Sequence, residues 1–191
     1  MHLPERLCFG EKGQRNLTFD TTTQYMKLSA WNIAIKWGAA YALLTLIWLS
    51  LESWIGLHDD LLKYRVVLTN VKYVPIFLIY FAALYRYRRD REGGIYPYSA
   101  AFIDGLRLTA AATLLSIPTQ YISLRYLTPD FLSKMRVAMT EEQWMTAIEA
   151  ANYFEFQNYM IQSVLAIPAT GLMITAIVAV FVSRNGRPSP I

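Results

Sequence analysis

The stretch FQNYMIQSVLAIPATGLMITAIVAVFVS, Phe156 to Ser183, runs for 28 residues without an Asp, Glu, Lys or Arg, and Arg184 and Arg187 follow it. A bilayer core about 30 Å thick takes about 20 apolar residues as a helix, so an uncharged run of this length reads as a membrane span. Helix is the only choice that lets such a segment satisfy its own backbone polar groups in lipid. The span proper is placed at Gln162–Val182. Working back from it, three weaker apolar segments appear. The first covers Trp37–Leu57 and is interrupted by Glu52. The second covers Val66–Tyr85, with Lys72 near its start and Pro75 inside. The third covers Ser99–Leu124, carries Asp104 and Arg107, and is uncharged from Leu108 onward. The fold class expected is therefore all-α: a polytopic membrane protein with four transmembrane helices.

Composition agrees with that reading. Hydrophobic residues make up 54% of the 191 and charged residues 17%, against roughly 25% charged in soluble domains. The net charge of +4 comes mostly from bases beside the apolar segments, which makes it a topology signal. No RNA-binding consensus or zinc-finger spacing accompanies it, so no nucleic-acid partner is expected. The single cysteine, Cys8, excludes an internal disulfide. Residues 1–25 are polar, mixed in charge and without period, and are expected to form a poorly ordered cytoplasmic extension. Residues 26–184 then form the membrane domain and 185–191 a cytoplasmic tail.

Orientation follows from the flanking bases. With four spans the N-terminus, the middle loop and the C-terminus share one side, which holds eleven Lys and Arg against six on the other. The short middle loop from Arg86 to Arg91 weighs most, and it predicts that both termini are cytoplasmic. Tyr85, Tyr87, Tyr96 and Tyr98 read as an aromatic belt at that interface. Ser99 reads as the N-cap of the third helix. Between spans 3 and 4, Thr128-Pro129-Asp130 reads as a helix start and Thr140-Glu141-Glu142-Gln143 has the spacing of a capping box. Two short extracytoplasmic helices are expected there. One carries Phe131, Met135 and Met139, the other Trp144, Ile148 and Ala151.

The segment RYRRDREGGIYPYSAAFIDG, Arg86 to Gly105, is similar to the signature of a bacterial family, the domain of unknown function numbered 4199, which is associated mainly with Bacteroidota. The similarity lies in the basic cluster after the second span, the Gly93-Gly94 pair, and Ala101-Phe102 with Gly105 at the start of the third. The helix start at Pro129-Asp130-Phe131 is also similar. The resemblance spans about Lys27 to Arg184 and implies a four-helix inner-membrane protein. It brings no catalytic residues with it.

Asp104 and Arg107 are the sharpest candidates for a site. They lie three apart on one helical face, and a charge within a span is costly enough to be a functional hypothesis by default. One reading makes them a proton or anion site facing a polar cavity. The other makes them a self-neutralised pair that locks the third helix to its neighbours. Gly105 between them admits close approach of another helix. Glu52, Asn70 and Lys72 form a second candidate, a polar cluster at the outer mouth, with a salt bridge from Glu52 to Lys72 or Arg65 as its structural account. Pro75, Pro118 and Pro168 each fall inside a span, where a proline removes a backbone donor. Gly38/Ala42 and Gly171/Thr175/Ala179 read as close-packing faces.

No metal, cofactor or catalytic residue is indicated. His2 and His58 stand alone, and no triad or phosphate-binding glycine loop exists. The function expected is a non-enzymatic inner-membrane accessory or assembly protein that binds a partner protein, a lipid or an envelope component. The alternative is a small transporter or channel, as a homo-oligomer, with Asp104 and Arg107 on its path.

Overall fold

The computed structural model describes residues 11–55, 70–91 and 95–184. The Gly93-Gly94 pair, the segment 56–69 with Arg65 and the start of the second apolar segment, the first ten residues and the tail after Arg184 lie outside them. Among the described residues six α-helices follow in order: α1 (Glu11–Ile55), α2 (Tyr73–Arg89), α3 (Tyr98–Ile122), α4 (Phe131–Glu141), α5 (Ala147–Tyr153) and α6 (Phe156–Val182). Three helical segments are long and apolar enough to cross a membrane: Ala30–Glu52, Tyr98–Leu127 and Phe156–Val182. The first and last begin about one turn or more before the sequence placed them. The helical backbone of α1 continues upstream of its apolar part as far as Glu11. In α2 the described helix is 17 residues long, about 26 Å at 1.5 Å per residue.

α3 is the organising helix. It lies along α1 on one side and α6 on the other, while α2 fits against α1, α6 and the back of α3. The shared core draws Tyr41 from α1, Ile76, Tyr80 and Leu84 from α2, Leu108 and Ala112 from α3, and Val178 and Val182 from α6. Large apolar side chains also cover the outside: Leu43, Ile47, Leu78, Leu114, Leu165, Val180 and Phe181 are all exposed. A water-facing bundle would not carry such a surface, whereas a lipid-facing one needs it.

The α3–α6 seam shows why small residues sit where they do. A Cβ on Gly105 would overlap the Thr175 side chain, and a Cβ on Gly171 would overlap Thr109 and the Tyr80 hydroxyl. The two helices thus interlock reciprocally, glycine against threonine, in one antiparallel register. The same register continues to an isolated bridge, where the Tyr96 N–H donates to the Arg184 carbonyl at 2.9 Å and the Arg184 N–H to the Tyr96 carbonyl at 2.7 Å. Gly38 meets Ala111 and Ala112 in the same manner on the α1 side. Both small-residue faces therefore pack within the chain.

The connection from α3 to α6 contains the two short helices expected, with different punctuation. α3 ends in a π-helical turn, Ser123–Leu127. α4 starts at Phe131, with Asp130 as an N-cap whose side chain makes no capping hydrogen bond. The capping-box spacing at Thr140 is not used: the Thr140 hydroxyl donates back to the Arg136 carbonyl, 2.8 Å away, and α4 continues through it. The box that forms is Thr146-x-x-Glu149, at the head of α5. The break falls at Glu142–Thr146, where Gln143 takes a positive φ of 57°. Phe131 and Met135 are buried in a second small core with Leu124, Ala150 and Phe154, and Met139 packs partly buried against it. The Trp144 and Ile148 stripe points outward. Likewise Ser99 is not the cap of α3, which starts at Tyr98 behind Pro97. Pro75 sits in the first turn of α2, where its missing N–H costs no helical bond, while Pro118 and Pro168 lie inside α3 and α6.

Candidate functional site

Asp104 sits in the second turn of α3, where its side chain is fully buried. Three donors converge on it. Arg107, one turn along the same helix, bonds Oδ1. Oδ2 accepts from Arg91 Nη2 at 2.9 Å and from the Tyr96 hydroxyl at 3.0 Å. Arg91 comes from just beyond the end of α2, and its guanidinium lies 5.0 Å from the centre of the Tyr96 ring. The bridge to Arg184 holds Tyr96 in place and turns its ring into the bundle. Arg88 adds a contact to the same end, donating to the Val182 carbonyl at the end of α6 at 3.4 Å. Burial, and after it the Asp104 carboxylate, pushes the Tyr96 phenol far above its ordinary range, so it stays a donor at physiological pH.

Asp104 and Arg107 pair within α3, as part of a larger knot that also takes in Arg91 and Tyr96. The sequence reading placed Arg91 among the loop bases and Tyr96 in an aromatic belt, and Tyr96 is instead completely buried. Two guanidiniums against one carboxylate leave this end with an excess positive charge. Chemically the knot is a carboxylate that takes three donors, two on Oδ2 and one on Oδ1. It ties the end of α2, the α2–α3 connection and α3 into one unit.

The second candidate cluster is partly assembled. Glu52 is buried on α1, and the Trp48 indole N–H donates to its Oε1 at 2.6 Å. Glu52 and Lys72 line one cavity of about 200 Å³ enclosed by α1, α2, α3 and α6. Asn70 lies exposed at the turn before α2 and is not part of that lining. Ser116, Thr119 and Gln120 face the cavity from α3, and Tyr159, Ser163 and Thr170 from α6. The Ser116 hydroxyl is buried without a hydrogen-bond partner. Ser116 is twelve residues beyond Asp104, about 18 Å along the helix, so knot and cavity occupy opposite ends of the bundle. Pro118 and Pro168 flank the cavity on α3 and α6, each removing a donor from its helix. Among the described residues no group of His, Cys, Asp and Glu comes together that would hold a metal ion.

No curated protein and no solved structure matches the chain. One family model does, described as a protein of unknown function (DUF4199), and it matches residues 36–184, which take in both the Asp104 knot and the cavity. The chain belongs to that family.

Proposed function

We propose that the protein is a multi-pass protein of the bacterial inner membrane that acts by binding rather than by catalysis. In this reading α2 is the second of four spans, both termini are cytoplasmic, and α4 and α5 stand outside the membrane. It serves as an accessory or assembly protein that holds a partner protein, a lipid or an envelope component. The observation that carries it is the unequal build of the two ends. The Asp104 end is tied by three donors and by the Gly105–Thr175 interlock, while the opposite end holds a polar cavity below the α4–α5 cap. A closed end and an open pocket suit a receptor for a bound group better than a conduit.

The transporter reading keeps one specific observation in its favour: the polar cavity lies within the bundle, between two helices that each carry an internal proline. Purification of the full chain in mild detergent, with mass determination and identification of co-purifying molecules, separates the two. A stable partner or retained envelope component supports binding. A homo-oligomer that carries solute across vesicle membranes, without such a partner, supports transport and removes the first reading.

A further inference from the structure

We propose that the Asp104 end of the bundle holds an anionic phospholipid, with the headgroup phosphate seated against the guanidiniums of Arg91 and Arg107. The proposal rests on the placement of the helices in a membrane and not on what the cavity at the other end binds. Arg91 and Arg107 bond opposite oxygens of one carboxylate, so the two guanidiniums are held close together and only one of the two charges is cancelled. Arg91 engages Asp104 through Nη2 and Arg107 through Nη1, whereas a guanidinium carries five N–H donors in a planar fork. Each fork therefore keeps donors that Asp104 does not take. Both also reach the surface, with 42% of the Arg91 side chain and 28% of the Arg107 side chain exposed. Arg88, on the Val182 carbonyl, and Arg184, bridged to Tyr96, add charge of the same sign at this end. Asp90 does not offset it, being paired with Arg86 at 3.2 Å.

The surface around Arg107 decides what the anion belongs to. On α3 Ile103, Leu106, Ala110, Leu114 and Ile117 are exposed at helical spacing, which makes them a lipid-facing stripe. Arg107 borders that stripe, next to Leu106 and one turn from Ile103, with Asp104 on its inner side. Its exposed part therefore meets lipid, where an uncompensated charge is costly and a long side chain carries it toward the headgroups. Phosphate is the acceptor present at that level, and the arginine fork matches its oxygens. The surplus charge then selects among headgroups. A zwitterionic one brings a cation of its own to a site already positive, whereas an anionic one cancels the surplus. The site is also set before any lipid arrives, since the Tyr96 hydroxyl and the bridge to Arg184 hold the same carboxylate in place.

The test uses the full chain, delipidated in mild detergent, and reads native mass spectra and thermal unfolding. The probes are phosphatidylglycerol and phosphatidylcholine with the same acyl chains, and inorganic phosphate as the soluble anion. Phosphatidylglycerol is expected to be retained in preference and to raise Tm by about 5 °C at a hundredfold excess over its Kd, with phosphatidylcholine weaker and inorganic phosphate inactive. Arg107→Gln and Arg91→Gln should each weaken that binding about tenfold. Arg89→Gln removes a charge of the same sign from the last turn of α2 and leaves the Asp104 pairs alone, so it should change binding by less than about twofold. If Arg107→Gln does not fold, Arg107→Lys keeps a charge beside Asp104 and should still bind less tightly, for want of the fork. Equal retention of the two lipids would overturn the proposal, as would a matching response to inorganic phosphate, which assigns a free anion instead. Losses in Arg89→Gln as large as in Arg107→Gln would also overturn it, because they mean diffuse attraction and no site. A co-purified partner with no lipid preference sinks this inference and leaves the accessory role standing. Solute flux with the lipid preference intact does the reverse.

Discussion

Asp104 shows how much a single residue depends on what surrounds it. Its carboxylate is fully buried, and each of its three donors comes from a different point of the chain: Arg91 after α2, Tyr96 before α3, Arg107 within it. Breaking a buried pair by removing one partner typically costs about 3–5 kcal/mol, because it leaves a charge uncompensated. Asp104→Asn leaves the guanidiniums of Arg91 and Arg107, 42% and 28% exposed, without their acceptor, so a drop in thermal stability in detergent below that range is expected. Combining it with Arg107→Gln should recover part of that loss, and adding Arg91→Gln should recover more, with coupling of about 0.5–3 kcal/mol per pair. Strict additivity across the series would mean that the three residues do not act as one unit. Tyr96→Phe keeps the ring under Arg91 and removes only the hydroxyl. It should cost about 1 kcal/mol, read as a smaller Tm shift.

Among the elements, the α3–α6 seam and the α5 cap make separate predictions. Gly105→Ala drives a methyl into Thr175, and overpacking of this kind costs about 1–3 kcal/mol. Thr175→Ala clears the space, so the double variant should be more stable in detergent melts than Gly105→Ala alone. If it is not, the two helices do not meet as described. At α5 the Thr146 hydroxyl accepts from the Glu149 N–H, and the Thr146 N–H donates to the Glu149 carboxylate at 2.9 Å. Thr146→Ala should loosen this seven-residue helix by about 1 kcal/mol, seen as faster amide exchange over Ala147–Tyr153. The bond from the Thr146 N–H, and after it the one from its hydroxyl, hold Glu149 below the usual carboxylate range. A depressed folded-state value means that the contribution is present above the unfolded pKa of about 4.3 and lost as pH falls through the folded one. Protection across α5, taken as exchange corrected for its intrinsic pH dependence, should therefore fall in acid in the parent and change less with pH in Thr146→Ala.

For the whole molecule the prediction concerns which way it sits in the membrane. The bias of eleven bases to six predicts that reporters fused after Gly94 and after Val137 report opposite compartments, with Gly94 cytoplasmic. The same compartment for both would end the four-span arrangement. The long apolar runs were legible at once, because lipid forces each spanning segment to close its own hydrogen bonds and so writes its length into the sequence. The Asp104–Arg107 pair was legible for a similar reason: residues three apart on a helix must be neighbours, whatever else the chain does. The existence of two short helices after α3 was also readable. Their boundary was not, since Thr140-x-x-Gln143 and Thr146-x-x-Glu149 are nearly equal local signals and the packing of Met135, Ala150 and Phe154 chooses between them. Arg91 and Tyr96 could not be joined to Asp104 from sequence, because 13 and 8 residues of separation say nothing about distance once the chain turns. Nor could the small residues of α3 and α6 be matched, or the cavity found. Sequence alone determined the medium and the long apolar helices. Only the tertiary structure decided which faces meet, because helix-to-helix register is set by the fit of side chains from remote segments and leaves no periodicity in either one.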